Sequence, residues 1–106
     1  MPYATPLTAA EAEDALRRLP HWTRDGDWIE RTVELPTFRV AIALVTAVAD
    51  AAEAANHHPN IDIRWRRVTF RLTTHSARAL TARDVELASR IDELSAGTLG
   101  IESASR

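Results

Sequence analysis

The run Ile61-Asp62-Ile63-Arg64-Trp65-Arg66-Arg67-Val68-Thr69-Phe70-Arg71-Leu72-Thr73 decides the fold. Apolar and polar residues alternate over 61–65 and again over 68–73, the period of a strand with one buried face. The two runs, joined at Arg66-Arg67, read as an antiparallel pair whose turn lacks glycine. What flanks the pair carries chemistry. Upstream stands Glu53-Ala54-Ala55-Asn56-His57-His58-Pro59; downstream come Thr74-His75-Ser76 and then Leu80-Thr81-Ala82-Arg83-Asp84. Three of the four histidines therefore fall at the ends of predicted elements, where side chains converge on a pocket framed by regular structure.

Working outward, Pro36-Thr37 opens a long helix, with proline tolerated in its first turn. Phe38, Ala41, Ile42, Val45, Val48, Ala49 and Ala52 form one apolar stripe, and Val40, Leu44, Ala47 and Ala51 make much of the opposite side apolar. A surface helix normally has a polar back, so one side is expected on the sheet and the other against a neighbouring subunit. Alanine richness is the bland alternative, because alanine favours helix and demands little burial. Pro59 biases His58 away from helical angles, so the helix should end near Asn56 or His57. Beyond the strands, Thr81 as N-cap with Asp84 at N3 starts a further helix. Val85, Ala88, Ile91 and Leu94-Ser95 supply its buried face, Gly97 its stop, and 98–106 a frayed tail.

Toward the start, residues 1–6 read as a tail, and Thr8-Ala9-Ala10-Glu11 has capping-box spacing. Ala12, Leu16 and Leu19 continue a short amphipathic helix that Pro20 ends. Asp25-Gly26-Asp27 between residues 21–24 and 28–35 signals a hairpin. In its second strand Ile29, Val33 and Leu35 share one face, Glu30, Thr32 and Glu34 the other, and Arg31 interrupts the apolar side. Trp28 is assigned to the core, while Trp22 is open between core and pocket wall. The order is αββαββα: a single α+β domain over 1–106, a four-stranded antiparallel sheet with three helices packed on one face.

Composition narrows the function. At 106 residues, 45% hydrophobic and 26% charged, the chain can bury a core without staples. A net charge of -2 gives no polyanion-binding surface, so no nucleic-acid partner is expected. Cysteine is absent, which excludes thiolate metal sites and cysteine nucleophiles. The most apolar run, 40–52, is too short to span a bilayer and contains Asp50. No secretory signal opens the chain, so a cytoplasmic protein with no membrane partner is expected.

His57 and His58 stand at a helix C-terminus, where unpaired carbonyls favour positive charge. Glu53, one turn before His57, favours it too, and a protonated histidine suits a general acid. Read singly, Asp84 is a capping-box acid and Glu53 a solvated helix residue; together with His57, His58 and His75 they make a site for moving protons on a small polar molecule. A metal site built from the histidines is the weaker reading, because neither HxxxH nor HxH spacing is present.

The run Glu53-x-x-x-His57-His58-Pro59, followed by Trp65, Val68, Thr74-His75, Leu80-Thr81-x-x-Asp84 and Ala88, resembles the pterin-4a-carbinolamine dehydratases, also called 4a-hydroxytetrahydrobiopterin dehydratases. The resemblance covers nearly the whole chain. It implies a lyase that converts 4a-hydroxytetrahydropterin to quinonoid dihydropterin and water, recycling the pterin spent by aromatic amino acid hydroxylases. By position it makes His57, His58 and His75 catalytic; on the chemistry of the reaction, His57 and His75 are expected to be the proton-transfer pair and His58 to hold the pterin. Asn56, Thr73, Thr74 and Ser76 would line the pterin, Glu53 and Asp84 would support it, and Trp22 would edge the pocket. No metal or bound cofactor is implied, and a homodimer or homotetramer through the long helix and sheet edges is. Two departures stand out: Ala79 where glycine is common before Leu-Thr, and Asn56 where some members have an acid. The alternative is a non-catalytic relative acting as a dimerisation cofactor or assembly chaperone. Resemblance to the chaperones usually comes with loss of the histidine set, which is complete here.

Overall fold

A computed structural model describes residues 5–99. The elements run α1 (Ala9–Arg17), β1 (Thr23–Asp25), β2 (Trp28–Glu34), α2 (Phe38–Ala55), β3 (Asn60–Arg64), β4 (Arg67–Leu72) and α3 (Ala82–Leu99). The sheet is four-stranded and antiparallel, as expected, and its strand order is β1-β2-β4-β3.

Register sorts the side chains. Ile29↔Leu72, Arg31↔Phe70 and Val33↔Val68 pair across β2 and β4, and Ile61↔Phe70 and Ile63↔Val68 across β3 and β4, so all point to one face. There Ile29, Val33, Val68, Phe70 and Leu72 pack with Ala41, Leu44 and Val48 of α2 and Leu87, Ala88 and Ile91 of α3. The other face is polar: Glu30, Thr32 and Glu34 meet Arg71, Thr69 and Arg67. Helices therefore cover one side only.

Arg31, the interruption on the apolar side, is neutralised from α3. Its Nη1 donates to Asp92 Oδ1 at 2.5 Å, and the Trp22 indole N–H donates to the same oxygen at 2.8 Å. Trp22 is thus core, and Trp28 is not. Trp28 belongs to the polar face with Glu30 and is half-buried under the Arg71 guanidinium, 4.8 Å from its ring centroid. The alternation of β2 dictates this, because residue 28 has the parity of Glu30 and not of Ile29.

Both hairpins turn on two residues, one earlier or later than the sequence suggests. Asp25 pairs with Trp28, so the first loop is Gly26-Asp27, with Gly26 at φ 62°. Arg64 pairs with Arg67, so the second is Trp65-Arg66, and Trp65 takes φ 56°. Thr37 caps α2 by accepting the Val40 N–H. The buried line of α2 is Ala41, Leu44, Val48 and Ala52, between the two expected stripes, while Phe38 (51%) and Ile42 (37%) are exposed. The capping box of α1 is formed as expected, with Thr8 and Glu11 bonded reciprocally. Gly97 does not end α3, which continues to Leu99 with Ser95 Oγ bonded to the Ile91 carbonyl. Of the expected tails, 1–6 and 98–106, residues 1–4 and 100–106 lie outside the described residues, and 98–99 belong to α3, not to a tail.

Candidate active site

The end of α2 sets the first histidines. Asn56 takes a left-handed conformation, φ 51° and ψ 44°, which asparagine tolerates better than most residues. The His57 N–H then donates back to the Ala52 carbonyl at 3.1 Å, closing the helix. Because residue 56 leaves the helical path, His57 no longer stacks over Glu53. Glu53 Oε2 instead meets His58 Nε2 at 2.5 Å, at an exposed rim. The expected Glu53–His57 pair is corrected to Glu53–His58.

His57 turns inward, 8% exposed, with Nε2 2.7 Å from Asp84 Oδ1. Asp84 is fully buried in the first turn of α3. Its Oδ2 accepts the Thr81 N–H at 2.9 Å, one half of a capping box, and the Thr74 hydroxyl at 2.8 Å. Thr81 Oγ1 lies 2.7 Å from Thr74 Oγ1 and accepts the Arg83 N–H at 3.2 Å. Asp84 is thus the cap of α3 and the partner of His57 at once. It reaches any ligand only through that imidazole.

Arg83, beside it, is not among the site residues expected from the sequence. Its Nη2 donates to the Asn56 carbonyl at 2.5 Å and the Ala55 carbonyl at 3.4 Å, placing a cation where α2 leaves its carbonyls unpaired. A signal existed: a cation in a first helical turn opposes that helix's own dipole and calls for a partner elsewhere.

The third histidine comes from the loop joining β4 to α3. Thr74 and Ala79 pair as an isolated bridge, and Arg78 takes the left-handed turn at φ 53°. Ala79 therefore needs no glycine-only geometry. His75 is exposed at this loop, its ring 5.6 Å from that of Trp28 at an interplanar angle of 80°. Thr73 is buried and its hydroxyl donates to the Asp27 carbonyl at 2.5 Å, tying the loop to the first hairpin.

These pieces enclose a cavity of about 370 Å³ lined by Asn56, His57, His58, Thr73, Thr74, His75, Ser76 and Arg83, with Pro59 and Asn60. Of the expected site residues, the three histidines, Asn56, Thr73, Thr74 and Ser76 line it; Glu53 and Asp84 stand behind His58 and His57. Trp22 is removed from it, held in the core by Asp92; the tryptophan beside the site is Trp28. A wider groove of about 1100 Å³ between α2 and α3 shares Asn56, His57, Ser76 and Arg83, but its other walls are alanine, leucine and the charged Asp50, Glu86 and Arg90, and it holds one histidine. The smaller cavity is where the chemistry gathers. Among the described residues no group of three or more His, Asp or Glu side chains is placed to hold a metal ion.

Compared with known proteins, residues 5–94 match the family model described as pterin 4 alpha carbinolamine dehydratase. A Nocardia farcinica protein provisionally named pterin-4-alpha-carbinolamine dehydratase is 60% identical over 88 residues, which are 83% of this chain and 93% of that relative. The crystal structure of a transcriptional coactivator/pterin dehydratase from Brucella melitensis superposes with a TM-score of 0.84 at 29% identity, over 86% of this chain and 99% of that one. A pterin dehydratase-like RuBisCO assembly factor of the alpha-carboxysome shares the fold, with a TM-score of 0.60 at 20% identity over 70% of this chain and 86% of that one.

Proposed function

The chain belongs to the pterin 4 alpha carbinolamine dehydratase family, and from that premise we propose that it dehydrates 4a-hydroxytetrahydropterin to quinonoid dihydropterin, in the recycling of oxidised tetrahydropterin. The observation that carries this reading is the cavity walled by His57, His58 and His75, with His57 bonded to a buried carboxylate.

In the reaction the C4a–O bond breaks, and the oxygen leaves as water after gaining a proton. The N5–H proton departs, and its bonding pair becomes the C4a=N5 double bond. With Nε2–H of His57 donating to Asp84, its Nδ1 is the nitrogen left to deliver a proton, and the carboxylate stabilises the imidazolium. His75, which also lines the cavity, accepts the N5 proton directly or through a water. His58, held by Glu53 at the rim, orients the pterin. Asn56, Thr73, Thr74 and Ser76 offer backbone and side-chain polar groups to the pterin edge.

We assign the same reading to self-association. On β3, an edge strand, Ile63 is 39% exposed, and the adjoining turn exposes Trp65 (70%). The Leu35 N–H bonds to the Arg66 carbonyl, bringing the start of α2, with exposed Phe38 and Ile42, to the same end of the sheet. A patch of this kind beside an open strand edge suits a second copy. Among the described residues no helix is long and apolar enough to cross a membrane, and a cytoplasmic site of action belongs to the proposal. A purely binding role is less favoured, because the histidine set is complete and braced.

The test is dehydration of freshly generated 4a-hydroxytetrahydropterin by wild type, His57→Ala, His75→Ala and His58→Ala. Acceleration by wild type, lost in the first two variants and weakened mainly through KM in the third, is expected. A folded wild type that does not accelerate the reaction overturns the proposal.

A further inference from the structure

Each of the three histidines has one bracing partner, and the third differs in kind. His57 is held by Asp84 and His58 by Glu53, each through Nε2. Among the described residues the His75 ring makes no hydrogen bond; its neighbour is Trp28, in an edge-to-face contact at 5.6 Å. We infer that Trp28 is a positioning residue for His75, one that fixes the imidazole while leaving both of its nitrogens free.

Trp28 is itself fixed. Arg71 lies over its ring, 4.8 Å from the centroid. The guanidinium is anchored in turn, with Nη2 3.1 Å from Asp25 Oδ2 and Nε 3.2 Å from Glu30 Oε1. The Nε approach is an ion pair whose angle does not make it a hydrogen bond. The Thr73 hydroxyl, bonded to the Asp27 carbonyl, locks the strand that leads to His75 against the turn that leads to Trp28. The first hairpin, which contributes no residue to the cavity lining, thereby acts on the site through the Trp28–His75 contact and the Asp27–Thr73 hydrogen bond.

The choice of partner has a chemical consequence. A carboxylate brace occupies one imidazole nitrogen and fixes the tautomer, as at His57. An aromatic brace restricts ring rotation without claiming either nitrogen. A histidine that must accept a proton at one nitrogen and pass it on to solvent from the other needs the second arrangement. This inference rests on the dehydratase reading for its kinetic consequence but not for the contact itself.

The experiment compares Trp28→Leu with Trp28→Phe, using dehydration kinetics and the imidazole proton resonances of His75. Trp28→Leu is expected to lower kcat roughly 10- to 100-fold, the scale of a misplaced reacting group, with KM changed less than about twofold. Its His75 resonances should move as the indole ring current is lost. Trp28→Phe, which keeps an aromatic brace, should restore most of kcat. A folded Trp28→Leu protein with unchanged kcat and unmoved His75 resonances overturns the inference. So does a rise in KM alone, which would make Trp28 a pterin contact. If wild type shows no dehydration, the proposed function fails, and the His75 resonances decide the contact by themselves.

Discussion

Replacing Asp84 by asparagine isolates the contribution of one charge at an unchanged shape. The carboxylate has two faces: Oδ1 meets His57, while Oδ2 accepts the Thr81 N–H and the Thr74 hydroxyl. An amide can keep only one of them. With its oxygen at the Oδ2 position, Thr81 and Thr74 stay satisfied, and the NH2 group faces His57 Nε2. That nitrogen must then accept, so the ring adopts the opposite tautomer and an imidazolium is no longer stabilised. The reverse orientation strands the buried Thr81 N–H, at about 1–3 kcal/mol, and is disfavoured. The lost bond is charge-assisted and buried, worth about 1.5–3 kcal/mol. As the proton donor His57 must hold its proton before the transfer, so losing that support for the imidazolium corresponds to a fall in kcat of about 10- to 150-fold at 1.36 kcal/mol per tenfold. Dehydration kinetics would be read beside thermal melting and the nitrogen chemical shifts of His57. An Asp84→Asn protein within about threefold of the wild-type kcat, with the tautomer inverted, refutes the assignment of His57 as proton donor.

Glu53→Gln should raise KM several-fold, roughly, while leaving kcat and the melting temperature nearly unchanged, since an exposed pair contributes at most about 1 kcal/mol to stability; a kcat defect without a KM change would reverse the roles of His58 and His57. Asp92→Ala leaves Arg31 and the Trp22 N–H without their acceptor and should destabilise by about 3 kcal/mol, the low end of the range for breaking a buried pair because Asp92 retains some water. Denaturant titration measures that loss, and kcat of the folded fraction should be unaffected. Phe38→Asp, at an exposed position on α2, should shift sedimentation toward the monomer without lowering the stability of the fold; unchanged assembly would remove this patch from the interface.

Strand alternation and helix caps made the order of elements legible, because those signals are local. The same alternation fixed the face of every β2 residue, and the assignment of Trp28 to the core overrode it with a general preference of tryptophan. Parity was the better guide. The second hairpin turn moved by one residue because Trp65 occupies a left-handed position that sequence reserves for glycine or asparagine. The histidines were found by their place at element ends. Their partners were not fully legible, since the His57–Asp84 and Arg83–Asn56 contacts join positions far apart in sequence. The resemblance supplied Asp84 as a supporting acid, but its attachment to His57 depends on how α2 and α3 dock.

That docking has a consequence for how the protein is made. Asp84, Arg83 and Asp92 all lie on α3, while the groups they hold, His57, the end of α2, Arg31 and Trp22, are translated earlier. A nascent chain that has emerged only as far as Ala79 therefore carries all three histidines in sequence and lacks the Asp84 contact that sets His57 and the Arg83 contact that holds the end of α2. Packing of the last helix completes the core and the site in one step, so a chain interrupted within α3 would lose both together.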